Sequence, residues 1–444
     1  MPFLHAKKAQ SMRASIPDPN ELTRLDQSKL DEALRKHDMY LRGQIGGARC
    51  VLKYHNLSEL DFKQYDLSQA DFTGSLLVEA DLSYGVFIST CFFACDMRNA
   101  NMHNADFSRA DFRGAYVAGA NLSGANLSDV DLREGKIMKR DDKGVLEDRK
   151  RSGGTGSRAI LSGAKMSDTN MSRARAMSAD FSDSDMSGVT MTDANLSGAS
   201  FEGANLADAD LSGSDLSSTN MRQSIMTGTI LERTEQLDMD DTAAVTERDM
   251  GNKLENLGKS LPELLEEHTL WVATAGRAGR QLDLSGYDLR DVLDLKRFPL
   301  TAIQCTGANF LNQDLRSAEL QSGVFDRSDF RDCDMTEADL RGSSFKYAQM
   351  ARVNLTGALM CPLEFKKDMG HSTLRRVDFS GANFRFSNLR GADLRDAILM
   401  GVDLTNAVLN DCDLRRADFT GAILSGVKME NCRLDEAIID FKAL

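Results

Sequence analysis

His37 and His268 stand 231 residues apart in stretches of the same layout, and a repeated histidine could serve as an acid–base group or a metal ligand. Neither has a cysteine or carboxylate at ligand spacing, and the same holds for His55, His103 and His371, so the sequence assigns no metal. His37 and His268 are therefore expected on the seam between a helix and the element it covers, polar edge outward. The eight cysteines (50, 91, 95, 305, 333, 361, 412 and 432) lack CxxC pairs, and a chain of 444 residues needs no disulfide staples, so reduced thiols are expected. Serines are abundant, but no GxSxG elbow or SxxK pair accompanies them. Gly153-Gly154-Thr155-Gly156 and Gly276-Arg277-Ala278-Gly279-Arg280 lack the Lys-Ser/Thr pair and the strand–helix setting of a phosphate loop. The sequence thus assigns no catalytic residue, no cofactor and no enzymatic activity.

Two charged features remain. A recurring Asp or Asn (Asp61, Asp71, Asp106, Asn121, Asn195, Asp210, Asp339, Asp393, Asp418) could line up carboxylates able to bind cations or imitate phosphates, but such residues are first of all turn formers. The segment 138–160 gathers Lys139, Arg140, Lys143, Arg149, Lys150 and Arg151, followed by Arg158, on a chain whose 67 acids outnumber its 54 Lys and Arg for a net charge of −13. That balance argues against direct nucleic-acid binding and against an anionic-membrane surface. A protruding basic loop is the best candidate for partner binding, the bland reading being a tolerated insertion with solvated charges.

What must position these residues is a period of five. Four runs, from Leu57 to Ile137, Leu161 to Leu231, Leu295 to Met360 and Leu374 to Ile439, place a large apolar residue at every fifth position, Ala176 and Cys305 excepted. Two residues earlier the chain demands a small side chain, as at Ala70, Ala80, Ala100, Ala105, Ala194 and Ala204, and Cys95, Cys333, Cys412 and Cys432 take that place as small hydrophobes. Five matches neither the helical period nor the strand period, so the chain must bend once per repeat. If each pentad forms one side of a coil, the apolar and small residues both point inward, and the Asx and Gly positions turn the corner.

The motif A-[DN]-[LF]-[SRT]-G, as in Ala120-Asn121-Leu122-Ser123-Gly124 and Ala392-Asp393-Leu394-Arg395-Asp396, resembles the pentapeptide-repeat family over about two-thirds of the chain. The resemblance implies an all-β solenoid, a right-handed quadrilateral parallel β-helix with four pentads per coil. Some members of that family imitate B-form DNA and engage type II topoisomerases such as gyrase, which makes DNA mimicry the alternative functional expectation.

Stacked coils leave their end coils with unpaired backbone, which needs covering. Ser28-Lys29-Leu30-Asp31 and Ser260-Leu261-Pro262-Glu263 both read as capping boxes that open helices with matching apolar positions, Leu30, Leu34, His37 and Tyr40 against Leu261, Leu265, His268 and Trp271. The first coil after each helix carries bulky residues at the small position, His55, Leu60 and Tyr65 in one half and Leu293, Phe298 and Ile303 in the other, expected to meet the helix. The expected organisation is a disordered segment 1–27, a first capped solenoid 28–231 with loop 138–160, an acidic linker 232–259, and a second capped solenoid 260–444 with loop 361–373, related by tandem duplication. No stretch reads as a leader or membrane span, so a cytoplasmic location is expected. The expected function is a non-enzymatic scaffold whose partner is another protein, with a homodimer left open.

Overall fold

The computed structural model describes residues 22–135, 138–140, 146–148, 158–246, 251–290, 292–366 and 372–439. The chain divides into two compact units, Met1–Glu247 and Arg248–Leu444. In each, five-residue steps wind into square coils, and residues in adjacent coils pair in parallel at a spacing of 20, as in Asp81↔Asn101 and Asp106↔Asn126. Most contacts are single bridges rather than extended strands, because the chain turns a corner after every pairing residue.

One pentad explains why the residue types recur. In Asp106-Phe107-Ser108-Arg109-Ala110, the Asp106 N–H donates to Gly85 O in the preceding coil at 2.9 Å, while Phe107 and Arg109 donate to Asn126 O and Ser128 O in the following coil at 2.7 and 2.9 Å. Ala110 N–H closes the corner onto Phe107 O at 3.0 Å. Only the Ser108 N–H has no backbone partner, and the Asp106 carboxylate accepts it at 2.8 Å. A backbone donor without a partner is costly, so an Asx before each inward residue completes the set. The same side-chain contact recurs at Asp61, Asn121, Asn195, Asp339 and Asp418. At the corner Arg109 has φ +58°, the left-handed conformation required at the third position of a type II turn.

The inward residues Leu122, Phe107 and Leu394 and their small companions Ala120, Ala105 and Ala392 are buried, and each unit holds one continuous apolar cluster. Phenylalanines stack in columns along the coil axis, with Phe87 over Phe107 at 4.9 Å and Phe310 over Phe330 at 4.5 Å between ring centres. Neighbouring columns meet edge to face, as between Phe107 and Phe112.

Helix α1 (Gln27–Leu41) precedes the first coil of unit 1, and α2 (Leu261–Ala273) that of unit 2. Leu30 and Leu34 of α1, and Leu265 of α2, enter the apolar cluster of their own unit. The N-cap of α1 is Asp26, which accepts the Lys29 N–H, rather than the expected Ser28, whereas Ser260 and Glu263 form the expected capping box on α2. The segment expected to be disordered before residue 28 contributes β1 (Thr23–Arg24), which pairs in parallel with β2 (His55–Asn56). Gln27 then continues that edge with its side chain: its Nε2 donates to Asp61 O and its Oε1 accepts the Asp61 N–H, both at 3.0 Å. In unit 2 Asn252 pairs with Tyr287 in the corresponding place.

Other expectations change as well. Tyr65 and Leu293 do not meet a helix but are exposed, Leu293 at 88%, while Ile303 is buried. The coil of unit 2 opens earlier than expected, at Leu284 and Leu289, which a six-residue step to Leu295 had hidden. Residues from 232 onward, read as a linker, keep the coil register, since Glu235, Asp240 and Val245 pair with Asp215, Asn220 and Ile225. The pattern vanished from the sequence there because Gln236, Asp241 and Thr246 take the inward positions, and backbone pairing outlasts the apolar code. Leu374, read as the first inward residue of the last run, lies instead on an exposed hairpin strand.

Candidate interaction surface

The corners and outer edges of the coils carry the polar residues. Where the residue after the inward position is arginine, it folds back on the Asp two residues earlier, as in Arg98–Asp96 at 2.6 Å, Arg341–Asp339 at 2.6 Å, Arg395–Asp393 at 2.7 Å and Arg415–Asp413 at 2.7 Å. Asp131 is shared by Arg133 at 2.8 Å and Arg175 at 3.1 Å. These ladders therefore alternate in sign and present no uniform row of carboxylates. Burial alone would raise the Asp393 carboxyl, but hydrogen bonds from Arg395 hold it below the ordinary carboxylate range. The Arg415 guanidinium does the same for Asp413.

The expected basic loop interrupts this lattice. Across the insertion Tyr116 pairs with Ile160 and Asp131 with Arg175, so the coil-to-coil spacing rises from 20 to 44. Within the insertion, β3 (Met138–Arg140) pairs antiparallel with β4 (Leu146–Asp148), which places Lys139 opposite Glu147 and Arg140 opposite Leu146. The loop is a hairpin at its base. Lys143, Arg149, Lys150 and Arg151 lie outside the described residues, as does Ile137, and Arg158 pairs with Asp180 at 3.1 Å. The expected loop 361–373 falls on a second such hairpin, β5 (Leu363–Lys366) against β6 (Ser372–Arg375), where the spacing rises to 34. It leaves unit 2 after Met360 as the first leaves unit 1 after Leu132, in both cases roughly four coils beyond the helix. Gly342 leaves room for it: a Cβ there would stand 3.0 Å from Leu363 Cβ.

The histidines differ from expectation. His37 and His268 are fully buried, not polar edge outward, because each Nδ1 accepts a backbone N–H of the first coil, Cys50 at 2.9 Å and Leu282 at 3.1 Å. His268 Nε2 lies 3.1 Å from Thr301 O. The buried thiols at small positions are also more than filler, since Cys95, Cys333 and Cys412 Sγ each donate to a turn carbonyl of the preceding coil (Phe72, Phe310 and Leu389) at 3.0 Å. Ser75 and Thr90 do the same with hydroxyls. No three His, Cys, Asp or Glu side chains come together as a metal-holding group among the described residues, and none of the helices there is long and apolar enough to cross a membrane.

Square coils of four pentads, filled inside and polar outside, define a parallel β-solenoid of the quadrilateral type. The family model described as pentapeptide repeats matches in eight copies over residues 56–92, 90–129, 157–193, 194–233, 324–360, 368–399 and 397–435, more than half of the chain. The chain belongs to the pentapeptide-repeat family, whose members are right-handed quadrilateral β-helices.

Among solved structures it is similar to HetL, a pentapeptide repeat protein involved in heterocyst differentiation regulation from the cyanobacterium Nostoc sp. strain PCC 7120, at 17% identity over 88% of this chain and 92% of that one, TM-score 0.15. It is also similar to QnrB1, a plasmid-mediated fluoroquinolone resistance protein, at 18% identity over 45% and 92%, TM-score 0.24. A third is Rfr23 from the cyanobacterium Cyanothece 51142, at 26% identity over 30% and 91%, TM-score 0.17. No curated protein matches the chain.

Proposed function

We propose that this chain is a non-enzymatic scaffold that binds another protein through its exterior. The observation that carries this reading is the filled interior: among the described residues, inward side chains from Leu57 to Met221 in one unit and from Leu284 to Leu414 in the other are buried in continuous clusters that leave no substrate cavity along the coil axis. Recognition must then use corners, edges and the two hairpins. The reading has two tandem solenoids, each closed at its start by its own helix, with the basic segment 138–160 as a contact for the partner. Rigid scaffolds that carry loops favour recognition there. Deleting 138–157, which spares the coil residues Ala159 and Ile160, with a short Gly-Ser closure should remove at least one partner from affinity capture in the native cell. An unchanged set of partners would remove the hairpin from the reading.

A second reading, DNA mimicry toward a type II topoisomerase, is favoured by one feature. The last coil of unit 1 exposes Glu232, Glu235, Asp238, Asp240 and Asp241. The Arg–Asp ladders elsewhere oppose it, because they cancel the charge that an imitation of phosphate requires. A gyrase supercoiling assay separates the two readings: inhibition or protection at micromolar protein would favour mimicry, and no effect would leave the scaffold reading alone.

A further inference from the structure

Each unit begins with a helix tied to its first coil through one buried imidazole at the matching helix position. In unit 1 the Cys50 N–H donates to His37 Nδ1, and in unit 2 the Leu282 N–H donates to His268 Nδ1. An imidazole nitrogen that accepts cannot carry a proton, so both rings are neutral with hydrogen on Nε2. His268 Nε2 then donates to Thr301 O, which joins the start and end of the same coil. An aromatic ring stacks on each imidazole: Tyr40 at 5.7 Å on His37 and Trp271 at 5.8 Å on His268.

We propose that His37 and His268 are acid-released latches, each holding its helix against the first coil only while its imidazole is neutral. Protonation puts a hydrogen on Nδ1 where it meets another N–H, and leaves a charge in a fully buried site. The helix must lift for the ring to reach water. Lifting exposes Leu30 and Leu34, or Leu265, together with the backbone edge of the first coil, a surface suited to pairing with another strand.

The surroundings of the two rings differ in charge. His37 faces Asp38 on its own helix, and Arg49, Asp66 and the backbone of Ser68 on the coil; the two carboxylates favour the charged ring and Arg49 opposes it. His268 has the Thr301 carbonyl and, among the described residues, no charged side chain acting on it. Desolvation is the leading influence at both and disfavours the cation, so both rings protonate below the ordinary histidine value of 6.5. Coupled to helix release, each latch contributes fully above 6.5 and weakens as the pH falls toward its folded-state value.

Hydrogen exchange followed by mass spectrometry on the full-length chain tests this without substitution. After correction for intrinsic chemistry, peptides from 27–41 and 261–273 should lose protection by about tenfold per pH unit below 6.5, while coil peptides such as 100–130 keep theirs. A flat profile in both helices, or loss only together with the coils, would overturn the proposal. Trp271 is the only tryptophan and reports on α2 directly. Its emission should shift in the same pH range in the wild type. In His268→Asn, whose Oδ1 can accept from Leu282 but does not titrate, the shift should vanish; the same shift in that variant would overturn the latch in unit 2.

Discussion

Asn99 lies over Gly119 of the next coil so closely that a Cβ built on Gly119 would stand 2.6 Å from Asn99 Oδ1. Gly119 also has φ +69°, and Asn99 itself has φ +56°, so one corner column alternates a side chain that tolerates the left-handed region with a residue that has none. Gly119→Ala should therefore cost about 1–3 kcal/mol of unfolding free energy. Asn99→Gly in the same chain should recover part of the loss by removing the contact. Urea denaturation of the single and double variants measures this; equal destabilisation in both would mean that the clash contributes nothing.

Phe107 is sandwiched in its column, 4.9 Å from Phe87 and edge-on to Phe112, and is fully buried. Phe107→Ala should lower stability by about 3–5 kcal/mol, the range for emptying a packed aromatic site. Gln236→Ala, at the same repeat position in the exposed last coil, should change it by less than about 0.5 kcal/mol. Comparable losses at the two sites would contradict the graded burial along unit 1.

The five-residue code was legible wherever backbone and side chain agree. The Asx that serves the N–H of Ser108, and the alanine beside Phe107, could be assigned from residue type alone because each has one geometric task. The code failed where backbone pairing persists without an apolar inward residue, at Gln236, Asp241 and Thr246, and where one extra residue between Leu289 and Leu295 shifts the register. The helices were legible from their spacing. The burial of His37 and His268 was not, because it depends on N–H groups of Cys50 and Leu282, whose lack of a preceding coil is a property of the stack rather than of the local sequence. Of the basic loop, the interruption of the coil was legible as a break in period, while the pairing of Lys139 with Glu147 was not.

The buried thiols should be inert in the folded chain. Burial pushes the Cys412 thiol up to about 12 and raises those of Cys95, Cys305 and Cys333 well above the ordinary thiol range. Thiolate, not thiol, is the reactive form. Ellman's reagent at pH 8 should titrate fewer than the eight cysteines until denaturant is added. Cys95→Ser should keep native stability to within about 1 kcal/mol, because its hydroxyl can reach Phe72 O as Ser75 reaches Leu52 O. Rapid native labelling of Cys95 would show that the coil opens there.

Below the histidine range a second acid transition belongs to the carboxylates of the ladders. Hydrogen bonds from Arg316 and Lys296 hold Asp314 well below its ordinary value of 3.8, and Arg415 and Arg416 lower Asp413 and Asp396 in the same way. Folded-state values beneath the unfolded one mean that the unfolded chain binds protons first as pH falls. The stabilisation is therefore present in full above about 3.8 and is lost as the pH passes down through the folded values. The urea midpoint of unit 2 should decline steeply between pH 4 and pH 2. Asp314→Asn and Asp413→Asn should each flatten the slope there while leaving the helix exchange below pH 6.5 unaltered. If either substitution moved the histidine-range transition instead, the two acid responses would not be separable as the geometry of the coil requires.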